Sequence, residues 1–132
     1  MHASGMPTPV VPLLDLADVP IPDTVEGRSL VPLMGGEDTS WREYVHIECA
    51  PMHHTLTDGK EKYIWFVQDG KEQFFRLTDD PMECHNLADR PEEADRVSYW
   101  RRLLIDELRN RPEGFTDGKR LIPGRQFPAV RP

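Results

Sequence analysis

Cysteine is scarce in this 132-residue sequence, which holds only Cys49 and Cys84. Two cysteines are too few for a disulfide scaffold and suit a reducing compartment, although a single Cys49–Cys84 bridge remains an alternative. The sequence also lacks a run approaching the roughly 18 apolar residues of a membrane span, and it lacks the apolar core of a signal peptide. These absences predict a cytoplasmic chain that makes no membrane contact.

A basic excess is missing as well, because 16 lysines and arginines face 23 acidic residues and the formal net charge is -7. A nucleic-acid binder would carry a clustered basic face, so the composition argues against nucleic-acid partners. The length fits one domain. Thirteen prolines, concentrated at the two ends, predict a flexible lead-in over residues 1–10, a folded domain over residues 11–122 and a proline-rich tail over residues 123–132.

The clearest local pattern is a hairpin in the stretch EKYIWFVQDGKEQFFRL, residues 61–77. Two β-rich runs flank Asp69-Gly70, a dipeptide typical of a two-residue type I′ turn. Such a turn pairs Gln68 with Lys71. One face of the hairpin then carries Ile64, Phe66, Phe75 and Leu77. The other face carries Tyr63, Trp65, Val67 and Phe74. Both faces are apolar, so both need cover.

A long helix is predicted over the stretch that begins at Arg90, with Pro91 in its first turn and Pro112 as its stop. Helical spacing places four apolar residues on one side: Val97, Trp100, Leu104 and Leu108. Residues 44–49 alternate as a half-buried strand, residues 54–58 suggest another, and residues 11–19 suggest two turns of helix. The fold class predicted is α+β: a small antiparallel sheet of about four strands, with a central Asp-Gly hairpin, packed by one long C-terminal helix.

One helix covers only one side of the hairpin, so the other side is expected to form an interface. We assign this interface to Tyr63, Trp65, Val67 and Phe74. Its occupant would be another domain or a second copy of the chain, giving a homo-oligomer. A short N-terminal helix is the alternative cover.

The stretch ECAPMHHTLTDGK, residues 48–60, concentrates residues that bind metals or act as nucleophiles. A metal site would recruit His46, Glu48, Cys49, His53 and His54. Strand alternation sends His46 and Cys49 to opposite faces, so no metal site is expected. Cys49, on the side of Val45 and Ile47, is expected to be an inert core residue rather than a nucleophile. Further along, Asp80 before Pro81 predicts a helix cap completed by Glu83.

Three landmarks follow one another along the sequence. The first landmark is carried by Gly27, Ser29, Leu30, Pro32 and Leu33. The second is carried by Lys62, Tyr63 and Ile64. The third is carried by Glu72, Phe75, Leu77, Asp80, Pro81, Glu83, Asn86, Leu87 and Ala88. In this order the three landmarks resemble the C-terminal end of the sulfatase family. Two positions depart from the family pattern: Asp18 stands in place of a glycine, and Arg76 in place of the aspartate of a Phe-Asp-Leu element.

The resemblance implies a small α+β subdomain that packs against a larger catalytic domain. In that family the formylglycine signature Cys/Ser-x-Pro-x-Arg, the calcium ligands and the sulfate-holding residues all precede the first landmark. No catalytic or metal residue is therefore expected in this sequence. Calcium and formylglycine would belong to the catalytic domain. The parent protein that contains both domains could be periplasmic. Cys49-Ala50-Pro51-Met52-His53 follows the landmark and has His53 in place of the arginine, so it is not that signature.

The resemblance also implies that the loop before Lys62 lines a substrate cleft, which makes His53 and His54 the expected substrate-binding residues. The leading hypothesis is a C-terminal subdomain of a sulfatase-like hydrolase that is inactive by itself. The alternative is a non-catalytic interaction module that self-associates or docks on a separate catalytic partner through the apolar hairpin face.

Overall fold

The computed structural model describes residues 10–22, 29–36 and 42–126. Four strands form one sheet: β1 (Val45–Cys49), β2 (His53–Thr57), β3 (Glu61–Phe66) and β4 (Glu72–Arg76). The helices are α1 (Val10–Leu16), α2 (Val31–Met34) and α3 (Ala94–Glu107), the last preceded by a 3₁₀ turn at Pro91–Glu93. This architecture confirms the predicted α+β class. Most of the proposed lead-in, part of the proline-rich tail and Gly27 of the first landmark lie outside the described residues.

The sheet is an antiparallel meander in the order β1-β2-β3-β4. Short connections explain that order, because antiparallel neighbours need only a tight turn between them. Between β1 and β2 the turn is closed by the Met52 amide, which donates to the Cys49 carbonyl at 2.7 Å. Between β2 and β3, the Asp58 carboxylate accepts hydrogen bonds from the amides of Lys60 and Glu61.

The β3–β4 hairpin has a four-residue loop rather than the predicted two-residue turn. Phe66 is the last residue before the loop, and its amide donates to the Lys71 carbonyl at 2.9 Å. A type I′ turn needs positive φ at both central residues, whereas here Gly70 has φ +73° and Asp69 is not among the residues with positive φ. The register therefore pairs Tyr63 with Phe74, a shift of two positions. An even shift leaves each side chain on its predicted face.

Helix α3 packs on the sheet face that carries Tyr63 and Trp65. The core beneath it consists of Leu56, Tyr63, Trp65, Val67, Phe74, Val97, Trp100, Leu104, Leu108 and Phe115. All four predicted interface residues, Tyr63, Trp65, Val67 and Phe74, belong to this core and are buried within the chain itself. The predicted interface is therefore wrong, because the helix covers this side of the hairpin. On the opposite side, Ile64 and Phe75 are also buried.

The face of strand β1 that packs toward the core is opposite to the predicted one. His46 is buried, whereas Val45, Ile47 and Cys49 are only half-buried on the side away from α3. The apolar residues alone suggested the reverse. The polar side chain is accommodated because a second imidazole, His54 on β2, lies within hydrogen-bonding distance of it.

The N-terminal segments expose an unusual amount of apolar surface. Val11 is fully buried, but six other apolar side chains of this region are exposed: Leu13, Leu16, Val19, Ile21, Leu33 and Met34. We call these six residues the N-terminal apolar surface. Leu13 keeps 64% of its surface exposed and Met34 keeps 75%. Exposed apolar side chains gathered in one region of the chain are typical of an interaction site, so this surface replaces the hairpin face as the candidate for docking.

Candidate functional site

His54, one of the two predicted substrate-binding residues, is completely buried. Its ring lies between Trp65, with ring centroids 6.2 Å apart, and Phe115, at 4.9 Å. Burial, reinforced by the nearby His46 and Arg111, lowers the pKa of His54 to about 3. A neutral, enclosed imidazole cannot contact a substrate at the surface of this chain, so the prediction for His54 is wrong.

His53 lies on the opposite sheet face and is half-buried. Its Nδ1 atom is 3.2 Å from the Thr55 hydroxyl, and its ring meets Phe66 edge-on at 5.4 Å. Burial lowers the pKa of His53, and the charge of Lys62 adds to that effect. The neutral form is therefore favoured near pH 7. The predicted substrate contact of His53 stays a prediction.

Cys49 ends strand β1 and is half-buried on the face away from α3. Strand alternation places it on the same face as His53, its directly opposite partner on β2, and away from His46. It is a free thiol, as is the exposed Cys84, so the alternative Cys49–Cys84 disulfide is not formed. Calcium prefers oxygen ligands, whereas the cluster of possible ligands among the described residues contains two imidazoles. The described residues therefore do not fit the family's calcium site.

Three carboxylates on the core face of the sheet receive arginines from α3 and the segment after it. Glu72 of β4 accepts both ends of the Arg101 guanidinium at 2.6 Å. Glu48 of β1 accepts Arg111, with the closer contact at 2.7 Å. Bidentate arginine pairs are directional as well as strong, so they fix where the helix lies across the strands. Sequence reasoning missed this set, although Glu72 lies on the face of the hairpin that it assigned to Phe74.

Glu61 of β3 is the third carboxylate and the most enclosed. It accepts hydrogen bonds from the Trp100 indole N–H, at 2.8 Å, and from Arg96. It also forms an ion pair with Arg76 at 3.4 Å. Three donors thus converge on this one carboxylate.

A second polar chain runs under the C-terminal end of α3. His46 Nε2 is 3.0 Å from His54 Nδ1, and His46 Nδ1 is 3.6 Å from the Glu107 carboxylate. The Tyr44 hydroxyl donates to the other oxygen of Glu107 at 3.2 Å. Burial, followed by the charge of Glu107, raises the pKa of Tyr44 to about 12. The chain of contacts thus links β1, β2 and α3 through ionisable groups.

The loop that follows β4 does not form the predicted capped helix. Asp80 accepts a hydrogen bond from the His85 amide at 2.8 Å, and Glu83 adopts φ +56°, so the segment is a turn. Glu83 pairs with Lys62 at 2.8 Å instead of completing a capping box. The aspartate therefore organises a loop, and it caps no helix.

A pocket of about 670 Å³ opens beside the β3–β4 loop. Its lining includes Glu72 and Asn86, whose polar atoms are already engaged. Glu72 binds Arg101, and the Asn86 side-chain oxygen accepts the Phe74 amide at 3.0 Å. These groups hold the hairpin and the following loop together.

Comparison with known proteins places these features in a family. Residues 9–110 match the family described as "N-sulphoglucosamine sulphohydrolase, C-terminal". The chain belongs to this family of sulfatase C-terminal domains. It is 43% identical over 122 residues to an arylsulfatase of Clostridium perfringens (strain 13 / Type A), a match that spans 90% of the chain and 24% of that protein.

Solved structures share the fold. A structure described as a 2-O GAG sulfatase superposes with a TM-score of 0.65 and 25% identity, over 79% of this chain and 24% of that one. The phosphonate monoester hydrolase of Agrobacterium radiobacter gives a TM-score of 0.60 at 19% identity, over 92% of this chain and 28% of that one. The chain thus spans about a quarter of the length of these relatives. Among its described helices, none is long and apolar enough to cross a membrane.

Proposed function

We propose that this chain serves as the C-terminal subdomain of a sulfatase-type hydrolase of sulfuric esters and has no catalytic activity by itself. The observation that carries the proposal is the family match over residues 9–110, in a chain that spans 24% of its arylsulfatase relative. The described residues lack a formylglycine signature with its arginine and a set of oxygen ligands suited to calcium. Calcium and formylglycine would therefore be supplied by the catalytic domain.

The partner that we propose is a sulfatase catalytic domain, docked on the N-terminal apolar surface. Leu13, Leu16 and Met34 expose more than half of their surface. Docking removes such side chains from water, with a gain of about 25 cal/mol for each Å² of apolar surface covered. A second copy of the chain is the alternative occupant of the same surface, and self-association would produce the homo-oligomer expected from the sequence.

The docking proposal is tested with the Clostridium perfringens arylsulfatase from which the matching C-terminal quarter has been removed. We expect this chain to bind it in sedimentation experiments, as the enzyme's own C-terminal quarter does in the positive control. The double variant Leu13→Asp/Leu16→Asp should lose binding. Met82→Asp, which changes an even more exposed apolar residue elsewhere, should keep it. Self-association of the parent chain that the double variant abolishes, without binding to the truncated enzyme, would favour the homo-oligomer instead.

The absence of activity is tested on the isolated chain with an aryl sulfate and calcium. We expect no turnover. Turnover that disappears in Cys49→Ala would overturn the proposal, because it would show that the Cys49 segment acts as a nucleophile after all.

Within the assembled enzyme, we propose that His53 lies near the substrate. It is half-buried and neutral, and it belongs to β2, directly after the turn that closes β1. In an active assembly, His53→Ala should raise KM with little change in kcat, since the residue would contribute to binding and not to the chemical step. An unchanged KM would remove His53 from the substrate site.

A further inference from the structure

Three potential metal ligands converge where β1 and β2 meet the C-terminal end of α3. One ligand atom from each of His46, Glu48 and His54 lies within 4.8 Å of the others. Glu48 and His54 are direct cross-strand partners, and His46 is two residues before Glu48 on the same strand. All three side chains therefore project from the same sheet face. His46 and His54 are buried, whereas Glu48 is exposed and leaves a path from solvent.

The two imidazoles face each other through ring nitrogens that can both act as ligands. His46 Nε2 and His54 Nδ1 are 3.0 Å apart. Two nitrogens bound to one tetrahedral ion at about 2.0–2.1 Å would be about 3.3 Å apart. The rings would need to separate by only about 0.3 Å to admit an ion between them. The separation of the two nitrogens is thus close to that in a bound pair.

The far side of His46 has the environment of a metal-bound histidine. The residue is 6% exposed, and its Nδ1 atom makes no hydrogen bond to the described residues. The nearest carboxylate oxygen, from Glu107, is 3.6 Å away, and Tyr44 holds the other oxygen of that carboxylate. A carboxylate behind the ring favours a proton on Nδ1, which leaves the Nε2 lone pair pointing toward His54.

Glu48 can change partners without leaving a buried charge alone. Its carboxylate is held by Arg111, with the closer contact at 2.7 Å. Arg111 also binds Glu113 through two hydrogen bonds, at 3.1 and 3.2 Å. If Glu48 turned toward an ion, Arg111 would keep the Glu113 carboxylate. Glu48 would exchange its two hydrogen bonds with Arg111 for a bond to the ion.

We propose that His46 Nε2, His54 Nδ1 and a Glu48 oxygen bind one zinc ion, with water in the fourth position. Two imidazoles and one carboxylate form a ligand set that zinc accepts in a tetrahedral site. The ion takes the place of the proton between the two rings. Both imidazoles stay neutral, because His54 carries that proton on Nε2 instead of Nδ1 and none is released to solvent. Because its ligands come from neighbouring strands and Glu107 supports one of them from α3, the ion joins all three elements.

The test uses the full chain without an affinity tag, first treated with a chelator and then titrated with Zn²⁺. We expect one equivalent to bind and the thermal midpoint of unfolding to rise. Titration with Co²⁺ should give the visible absorption of a tetrahedral site. Glu48→Gln should abolish the rise in the midpoint, and Glu107→Gln should weaken binding by about 10- to 100-fold.

Two controls separate this site from its alternatives. Glu92→Gln changes an exposed carboxylate outside the cluster and should leave zinc binding intact. The double variant Cys84→Ser/His85→Gln removes an exposed pair of possible ligands and should also bind normally. Glu48 is exposed, so its variant folds even if substitutions of the buried histidines do not. Failure to bind Zn²⁺ would mean that the two histidines form only a hydrogen bond, and binding unchanged in Glu48→Gln would contradict the proposed ligand set.

Discussion

The indole N–H of Trp100 donates a hydrogen bond of 2.8 Å to the carboxylate of Glu61, and both residues are buried. This contact joins the middle of α3 to the start of β3. The same carboxylate oxygen accepts Arg96, which lies one helical turn before Trp100. A single acceptor thus holds both Trp100, in the core, and Arg96, at its edge. The orientation of the helix on the sheet depends on that acceptor.

Glu61→Ala should lower the free energy of unfolding by about 2 kcal/mol, because it leaves the buried indole N–H without its acceptor. Chemical denaturation at neutral pH measures the change. Glu92→Ala is the control, since Glu92 belongs to an exposed ion pair with Arg90 at 3.7 Å and should change stability by less than about 0.5 kcal/mol. Equal effects of the two substitutions would show that Glu61 does not anchor the helix.

Tyr63→Phe should destabilise the chain by about 1 kcal/mol at pH 7, because the Tyr63 hydroxyl donates to the Glu72 carboxylate. Burial, followed by the charge of Glu72, raises the pKa of Tyr63 above its ordinary value of 10.0. Above that pH the unfolded chain loses a proton that the folded chain keeps, so stability falls as pH rises. The Phe variant lacks this loss. Denaturation should therefore show a smaller difference in free energy of unfolding between the parent and Tyr63→Phe at about pH 10.5 than at pH 7. A constant difference would contradict a raised pKa of Tyr63.

Arg76 departs from the family pattern, and its partners explain how the chain accommodates it. Its guanidinium forms a bidentate pair with Glu93 at 2.8 and 2.9 Å, and that pair lowers the pKa of Glu93. A lowered carboxyl pKa contributes stability above the unfolded value of 4.5, and the contribution is lost as pH falls through the folded value. Glu93→Gln should cost about 1 kcal/mol at pH 7.

The acid dependence of this pair distinguishes it from simple packing. In denaturation experiments repeated at decreasing pH, the difference between Glu93→Gln and the parent should decline below pH 4.5. Glu92→Gln, at the neighbouring exposed position, should show no such decline. A difference that persists unchanged at low pH would mean that Glu93 stabilises the 3₁₀ turn without its charge.

The sequence predicted the long helix and the hairpin because each has a strong local pattern. Val97, Trp100, Leu104 and Leu108 repeat at helical spacing, and all four are in the core. The predicted length of the hairpin loop was wrong because Asp-Gly also suits longer turns in which only the glycine has positive φ. The choice between a two-residue and a four-residue loop depends on the packing of the whole sheet, so the dipeptide alone does not predict it.

The sequence could not decide which apolar face of the hairpin the helix covers. Both faces qualify by hydropathy, and the choice is made by partners distant in sequence, such as Glu61 with Trp100 and Glu72 with Arg101. The burial of His46 was missed for the same reason. A histidine is an unfavourable core residue until a second polar group, here His54, is brought beside it by the β1–β2 register.

If this chain supplies the C-terminal subdomain of a sulfatase, it should restore activity when it is fused to a sulfatase catalytic domain. The chain would replace the matching C-terminal quarter of the Clostridium perfringens arylsulfatase, to which it is 43% identical. We predict that the chimera hydrolyses an aryl sulfate, whereas the same chimera carrying Leu13→Asp/Leu16→Asp loses activity and the Met82→Asp chimera keeps it. A folded parent chimera without activity would show that the chain does not act as that subdomain, and one equally active with both aspartates would show that it does not dock through Leu13 and Leu16.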